Sequence, residues 1–169
     1  MKVRKATMDD AEAATLVLRR SIIELCLQDH GNDRAVLQTW LANKTPERFR
    51  EWARAADDLC LVAAAGDGAI LGVAYLSKAG EIKLNYVSPD ARLQGVSSVL
   101  IAAIETEAEK RGLTRLTLTS TATAHRFYLE RGFRDRGPPE AGPFKGDTHP
   151  MEKALSYKGA RRWRSSGYR

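Results

Sequence analysis

Residues 81–133 read EIKLNYVSPDARLQGVSSVLIAAIETEAEKRGLTRLTLTSTATAHRFYLERGF and combine the period of a strand with that of a helix. Residues 82–87 alternate between two faces, with the even-numbered side chains on one of them, which predicts a β-strand. The sequence Ser88-Pro89-Asp90 predicts a turn, because proline cannot continue a β-ladder. From Val96 the period becomes that of a helix, and Gly112 is placed to cap its end. The predicted apolar stripe consists of Val96, Val99, Leu100, Ala103 and Ile104.

The turn between this strand and this helix is the chemical feature of the segment. The first N–H groups of a helix have no intrahelical partner, and together with the helix dipole they favour an anion such as a pyrophosphate. Gly95 lets a ligand approach the main chain closely, and Ser97 and Ser98 are small. A glycine and two serines also open many helices as ordinary capping residues. The turn by itself is consistent with both interpretations.

The turn resembles the acyl-CoA-binding core of the GNAT superfamily of N-acetyltransferases. That family places Gln or Arg, two further residues, Gly, one residue, and then Gly or Ala at a strand-to-helix turn. Arg92 and Gly95 match this pattern, while Ser97 stands where Gly or Ala is usual. Serine is small enough to keep the loop.

A second block extends the resemblance. In the family, an Asn or Ser precedes an Ala, then an aromatic-Tyr pair, then Gly-Phe. The matching positions here are Thr121, Ala124, Phe127-Tyr128 and Gly132-Phe133. The resemblance reaches loosely from about residue 2 to 155. It implies an α/β (α+β) chain with the GNAT-type acyl-CoA N-acyltransferase fold, a central mixed sheet of six to seven strands flanked by helices.

The remaining sequence predicts other elements of one domain at residues 1–155. The segment at 115–119 is expected to run parallel to the strand at 82–87, with Leu116 and Leu118 inward. Trp40 is interpreted as core or pocket wall, and in the family this region covers the acceptor site. We predict helices at 11–28, 34–42 and 46–55, and strands at 2–5, 59–65, 69–77, 82–87, 115–119 and 150–155.

Composition excludes several classes of protein. A chain of 169 residues that is 43% hydrophobic can bury a substantial core without disulfides or metal. Cys26 and Cys60 are too few and too far apart for a disulfide framework. The three histidines and two cysteines show no zinc spacing, so no metal is expected. No apolar run is long enough for a membrane span and no signal-peptide pattern is present, so the expected location is the cytoplasm.

The net charge of +6 is concentrated at one end. Residues 156–169 hold five basic side chains and no acid, which leaves the rest of the chain close to neutral. This tail is interpreted as a solvated, flexible terminus. Contact with nucleic acid through the tail is the alternative, and it predicts a steep salt dependence that deletion of the tail removes.

Two residues are candidates for proton transfer. Tyr128 is the candidate general acid, because a phenol stays protonated at neutral pH and, in the resembling family, the tyrosine at this place lies near the cofactor sulfur. Glu81 is the candidate general base, since it lies eleven residues before Arg92, where some family members carry a catalytic glutamate. Strict alternation puts Asn85 on the same face as Glu81, where it could orient a water. Each candidate also has a structural alternative. Tyr128 as a packing aromatic would hold its helix against the sheet, and Glu81 would be an exposed carboxylate at the start of a strand.

The resemblance also implies a cofactor site. The main chain of Val87 would bind the pantetheine amides of acetyl-CoA, and the backbone of residues 93–98 would bind its pyrophosphate. His125 is interpreted as a solvated helix residue outside this site. The complete set of predicted cofactor-binding residues is Val87, Arg92, Leu93, Gln94, Gly95, Val96, Ser97, Ser98, Thr121, Ala124 and Tyr128.

The leading functional hypothesis is therefore an enzyme that moves an acetyl group from acetyl-CoA directly to a primary amine of a small or amino-acid-like molecule. One alternative is transfer to an amino group of a protein or peptide. Another is a CoA-binding sensor without turnover, because a fold does not guarantee activity. A homodimer is expected by analogy with the family.

Overall fold

The computed structural model describes residues 1–156. The basic tail predicted at 156–169 therefore lies, except for its first residue, outside the described residues. The helices are α1 (Ala11–Leu25), α2 (Leu27–His30), α3 (Arg34–Leu41), α4 (Pro46–Arg54), α5 (Val96–Lys110) and α6 (Ala122–Glu130). The strands are β1 (Lys2–Lys5), β2 (Leu59–Ala64), β3 (Ile70–Leu76), β4 (Ile82–Val87), β5 (Arg115–Thr121), β6 (Arg134–Asp135), β7 (Glu140–Ala141) and β8 (Asp147–Ala154).

The strands form two sheet segments that meet at one point. The first segment has the antiparallel order β1-β2-β3-β4, and the second has the order β5-β8-β6 with β7 also paired to β8. A single parallel bridge between Glu81 and Thr117 joins them, with the Thr117 N–H donating to the Gly80 carbonyl at 2.9 Å. The mixed sheet flanked by helices is confirmed, including the parallel relation of β4 and β5. Within residues 1–156 it contains eight strands, two of which, β6 and β7 with two residues each, were not predicted.

Helices cover both faces of the first segment. One core lies under α5 and includes Leu76, Ile82 and Ile104, while the other lies under α1 and α4 and includes Phe49 and Leu84. Gly72 on β3 lets α5 pack closely, because a Cβ there would lie 2.6 Å from Cγ1 of Val96. The sequence needs glycine at this position to hold the start of α5 against the sheet.

A β-bulge changes the faces of β4. Leu76 pairs with Ile82 and Tyr75 pairs with Leu84, so Lys83 is the extra residue. Ile82 consequently belongs to the α5 core and Leu84 to the α1 core. The prediction that the even-numbered side chains of β4 share one face was wrong at this point, because an extra residue reverses the alternation that follows it.

Two element boundaries differ by three residues each from those predicted, and one residue of the predicted α5 stripe is exposed. The first helix ends at Leu25 rather than at residue 28, because Cys26 leaves the helical region with φ −106° and ψ 33° before α2 begins. Val99 is 37% exposed and does not belong to the buried stripe of α5. The last strand begins at Asp147 rather than Pro150. Pro150 fits inside it since its carbonyl can still accept, here from the Arg136 N–H at 2.9 Å.

Candidate active site

A cavity of about 570 Å³ opens where β4 and β5 separate. The two parallel strands pair only at the bridge that joins Glu81 to Thr117. Beyond it, residues 82–87 of β4 and 118–121 of β5 line opposite sides of the cavity. The start of α5 and one face of α6 complete the walls. The edge of β4 that faces the cavity therefore presents backbone N–H and C=O groups that no other strand of residues 1–156 pairs.

The turn before α5 is shaped to bind an anion. Gly95 is the N-cap residue, has φ +79°, and makes no side-chain cap, so the first N–H groups of α5 keep their hydrogen-bonding capacity. Leu93, which is 93% exposed, also has a positive φ of 63°. Apart from the two chain neighbours, no atom of the described residues lies within 4 Å of where a Cβ on Gly95 would be, so the space in front of the turn is open. Among the predicted turn residues, only Gln94 lies outside the cavity lining, and its amide nitrogen donates instead to the Asp90 carbonyl at 3.3 Å.

Arg131 was missed by the sequence analysis. It lies just after α6, lines the cavity, and its guanidinium contacts the hydroxyl of Ser98 at the start of α5. The same guanidinium lies 5.4 Å from the ring centroid of Phe127. Arg131 follows Phe127 by four residues, a spacing that places two side chains next to each other on a helix. This spacing is the sequence feature from which the position of Arg131 could have been predicted. With Arg92, Arg131 places two cations beside the open turn, which suits a polyanion.

Tyr128 lies on the inner wall of the cavity and is 7% exposed. Its ring packs edge-to-face against Phe127 and Phe133. Its hydroxyl accepts a hydrogen bond from the Asn85 side-chain amide at 3.3 Å. Burial raises the pKa of Tyr128, although the Asn85 hydrogen bond opposes this by stabilising the phenolate. The hydroxyl therefore stays protonated at neutral pH, and its own proton is left free to donate.

The start of α6 is held from a distant part of the chain. Thr121 is the N-cap residue but makes no side-chain cap. The Asp29 carboxylate supplies the missing acceptor, taking a hydrogen bond from the Thr123 N–H at 3.2 Å. Val87, Thr121 and Ala124 all line the cavity, as the cofactor hypothesis requires of them.

Glu81 is not brought to the cavity. It pairs across the sheet with Ser77, whereas Asn85 pairs with Ala74, so the bulge puts Glu81 and Asn85 on opposite faces. The prediction that they share a face was wrong for this reason. The Glu81 side chain is 49% exposed, lies 3.9 Å from the Lys83 ammonium group and does not line the cavity. This geometry does not support a role as general base.

The wall of the cavity formed by the α1 region, α3 and Tyr86 is apolar and aromatic, and the described residues that it contains carry no charge. Trp40 and Tyr86 line it, and the Trp40 indole N–H donates to the Tyr86 hydroxyl at 3.1 Å. Ser21, Leu25 and Cys26 of the α1 region complete it. Burial raises the pKa of the Cys26 thiol to about 12, with the nearby Asp29 carboxylate as a second cause, so the thiol is neutral. Trp40 is confirmed as pocket wall, while the other residues of this wall carried no sequence signal.

Comparison with known proteins gives the family. A family model described as an acetyltransferase (GNAT) domain matches residues 26–155, a range that contains both the open turn and Tyr128. The chain belongs to the GNAT acetyltransferase family. The resemblance found in the two sequence blocks is thereby confirmed.

Individual relatives of this GNAT chain match it to different extents. An IAA acetyltransferase of Azospirillum brasilense is 40% identical over 81 residues, which are 45% of this chain and 52% of that protein. The matched region thus spans about half the length of this curated relative. The crystal structure of a GCN5-related N-acetyltransferase from Rhodopseudomonas palustris has a TM-score of 0.79 and 26% identity, over 91% of this chain and 95% of the other.

A more distant structure shares the fold alone. The PaiA N-acetyltransferase of Thermoplasma acidophilum, crystallised in complex with coenzyme A, has a TM-score of 0.76 and 21% identity, over 90% of this chain and 98% of the other.

No helix within residues 1–156 combines the length and apolarity needed to cross a membrane.

Proposed function

We propose that this chain is an acetyl-CoA-dependent N-acetyltransferase that moves the acetyl group directly to a primary amine of a small acceptor. The observation that carries the proposal is that one cavity contains both the open N-terminus of α5 and the buried hydroxyl of Tyr128. Membership of the GNAT family supports the reaction class. Direct attack needs no protein nucleophile, and binding both reactants in one cavity supplies much of the acceleration.

The donor end is assigned to the residues around the open turn. The N–H groups of Val96, Ser97 and Ser98 and the guanidinium of Arg131 would hold the pyrophosphate, with Arg92 nearby. The unpaired edge of β4 at Val87 would hold the pantetheine amides, and Thr121 and Ala124 would line the opposite wall. Acetyl-CoA supplies the acyl group in activated form, as a thioester.

Tyr128 is proposed as the general acid. As the amine nitrogen bonds to the acyl carbon and the carbon–sulfur bond breaks, its phenol donates a proton to the departing sulfur. The Asn85 amide holds the oxygen in place and stabilises the charge that forms on it. The products are then an amide and a free thiol, and the phenolate recovers its proton from the attacking nitrogen through water.

The first proton of the acceptor ammonium is also proposed to go to bulk water, before the acceptor enters the cavity. Within the described part of the chain, the cavity is lined by no carboxylate and no histidine. The thiol of Cys26 and the phenol of Tyr86 do not serve instead, because burial raises the pKa of both. The acceptor would therefore react as the free amine that is present in solution.

The aromatic wall of the cavity supports a small acceptor with an apolar body. Trp40, Tyr86 and Leu25 offer aromatic and apolar surface, and the Tyr86 and Ser21 hydroxyls offer a few polar contacts. No acidic side chain among residues 1–156 belongs to this wall, so these residues offer no partner for a second cationic group on the acceptor. An amine carried by an aromatic or aliphatic group fits this chemistry better than a polyamine.

Calorimetric titration with acetyl-CoA tests the donor site. We expect saturable binding to the parent protein and loss of binding in Gly95→Glu, because this change puts bulk and negative charge in the open turn. Gly68→Glu is the matched control: it makes the same change in the β2–β3 turn, at a glycine that also has a positive φ (+91°) and open space around a Cβ, and it should bind normally.

Thiol release with a panel of amines and peptides then tests turnover. Release with small amines and not with peptides supports the proposal. Release only with peptides would instead favour a protein acceptor, and binding without release from any amine would favour a CoA sensor. Equal acetyl-CoA affinity in the parent and in Gly95→Glu would show that the turn does not hold the donor.

A further inference from the structure

Three side chains that are distant in sequence converge on the side of α6 that faces β6 and β8. His125 lies on α6, Asp135 on β6 and His149 on β8. Each offers one ligand atom, and these atoms all lie within 4.8 Å of one another. The interpretation of His125 as a solvated helix residue was wrong, because its side chain is only 22% exposed and contacts both other residues.

The geometry within this His-Asp-His cluster is close to that of a metal site. Nε2 of His125 lies 2.8 Å from Oδ1 of Asp135. The rings of His125 and His149 stack with centroids 3.8 Å apart and planes at 13°. Ligand atoms around a tetrahedral zinc ion lie about 3.3 Å apart, given metal–ligand distances near 2.0–2.1 Å. To bind one, the ligand atoms that are farthest apart have to approach by up to about 1.5 Å and the two stacked rings have to tilt.

We propose that His125, Asp135 and His149 form a binding site for a divalent transition-metal ion, with Zn²⁺ the cation its ligands suit best. Two imidazoles and one carboxylate match the preference of zinc for nitrogen and oxygen donors, and they leave a fourth position for water. An imidazole binds a metal in the plane of its ring, so binding has to splay the stacked rings apart. The site is separate from the donor cavity, whose lining contains none of the three residues.

Such an ion would link secondary-structure elements that are far apart in the sequence. It would connect α6, which carries Tyr128, to two strands of the second sheet segment. A ligand that binds only the folded state stabilises it by mass action. The ion would thus act as a structural clamp on α6, and it would take no part in acyl transfer.

The test is zinc binding to the untagged, EDTA-treated full chain. Calorimetry should show one zinc ion per chain, and the thermal midpoint should rise with added zinc. His149→Ala and Asp135→Asn should each weaken binding at least tenfold. Asp9→Asn, the same change at an exposed acid outside the cluster, should leave affinity unchanged.

Histidine NMR provides a readout that does not depend on variant folding. Zinc should shift the ring signals of His125 and His149 and leave the ring signals of His30 unchanged. Both ring nitrogens of His30 are already hydrogen-bonded, one with the Ile23 carbonyl and the other with the Asn32 N–H. Absence of one-to-one binding, or ring shifts that spare His125 and His149, would overturn the proposal. Equal affinity in the parent and in His149→Ala would overturn it as well.

Discussion

At the scale of single residues, the position of Tyr128 matters most for the proposed chemistry. Its side chain is buried on the cavity wall and its hydroxyl accepts a hydrogen bond from Asn85, so the hydroxyl proton is available to donate. We predict that Tyr128→Phe lowers turnover by about 100-fold, because the departing thiolate loses its proton donor. Acetyl-CoA affinity should change little, since the phosphate contacts remain. Steady-state thiol release and calorimetry measure the two effects separately.

A second buried tyrosine is the matched control for this change. Tyr75 is 5% exposed, belongs to the α1 core, donates a hydrogen bond to Asp58 and does not line the cavity. Tyr75→Phe should therefore keep full turnover even if it lowers stability. Full turnover in Tyr128→Phe with the same acceptor would remove Tyr128 from the acid role.

At the scale of elements, α6 depends on a contact from α2. Asp29 is 1% exposed and caps the N-terminus of α6 through the backbone N–H of Thr123. We predict that Asp29→Ala lowers the free energy of unfolding by about 1 kcal/mol, the usual contribution of a helix cap. It should also weaken turnover, because α6 carries Tyr128. Denaturant unfolding and thiol release measure these two outcomes.

The control for the α6 cap is a change that keeps the hydrogen bond between the Thr123 N–H and the Asp29 carboxylate. Thr123→Ala removes a side chain but retains the backbone N–H that donates to Asp29, so its unfolding free energy should stay close to that of the parent. If Asp29→Ala and Thr123→Ala had the same stability, the cap would contribute nothing measurable and α6 would be held by packing alone.

At the scale of the whole molecule, one buried lysine makes stability depend on pH. Lys44 is 6% exposed, and desolvation lowers its pKa to about 8. Between this value and the ordinary 10.5, the unfolded chain binds more protons than the folded chain. The cost of burying charged Lys44 is thus fully present below pH 8 and disappears as the pH rises towards 10.5.

We therefore predict that Lys44→Met is more stable than the parent at neutral pH, and that this advantage shrinks above pH 8. Denaturant unfolding of both proteins over this range measures the difference. Subtracting the two curves cancels other groups such as Cys60, whose pKa burial raises to about 12. Lys5→Met, at an exposed lysine, should show a difference that does not vary with pH. A constant difference for Lys44→Met would mean that Lys44 is solvated in the folded protein.

The parts of the fold predicted from the sequence are those set by neighbouring residues. The strand at 82–87, the turn before Gly95 and the helix that follows are readable because each depends on periods and capping residues within a few positions. Two short blocks were enough to indicate the GNAT family. The open turn follows from the same local geometry, whereas the place of Tyr128 near the cofactor was implied by the family resemblance.

The sequence by itself thus determined the family, the order of the main elements and the turn that opens α5. Only the tertiary structure decided that the bulge at Lys83 turns Glu81 away from Asn85, that Asp29 caps α6, and that the cluster of His125, Asp135 and His149 assembles. The physical reason is the sequence separation of the residues that fix each feature. A helix start is fixed by hydrogen bonds a few residues apart, whereas a bulge, a cap from another helix and a three-element cluster are fixed by strand register and packing between distant segments, which local periodicity does not encode.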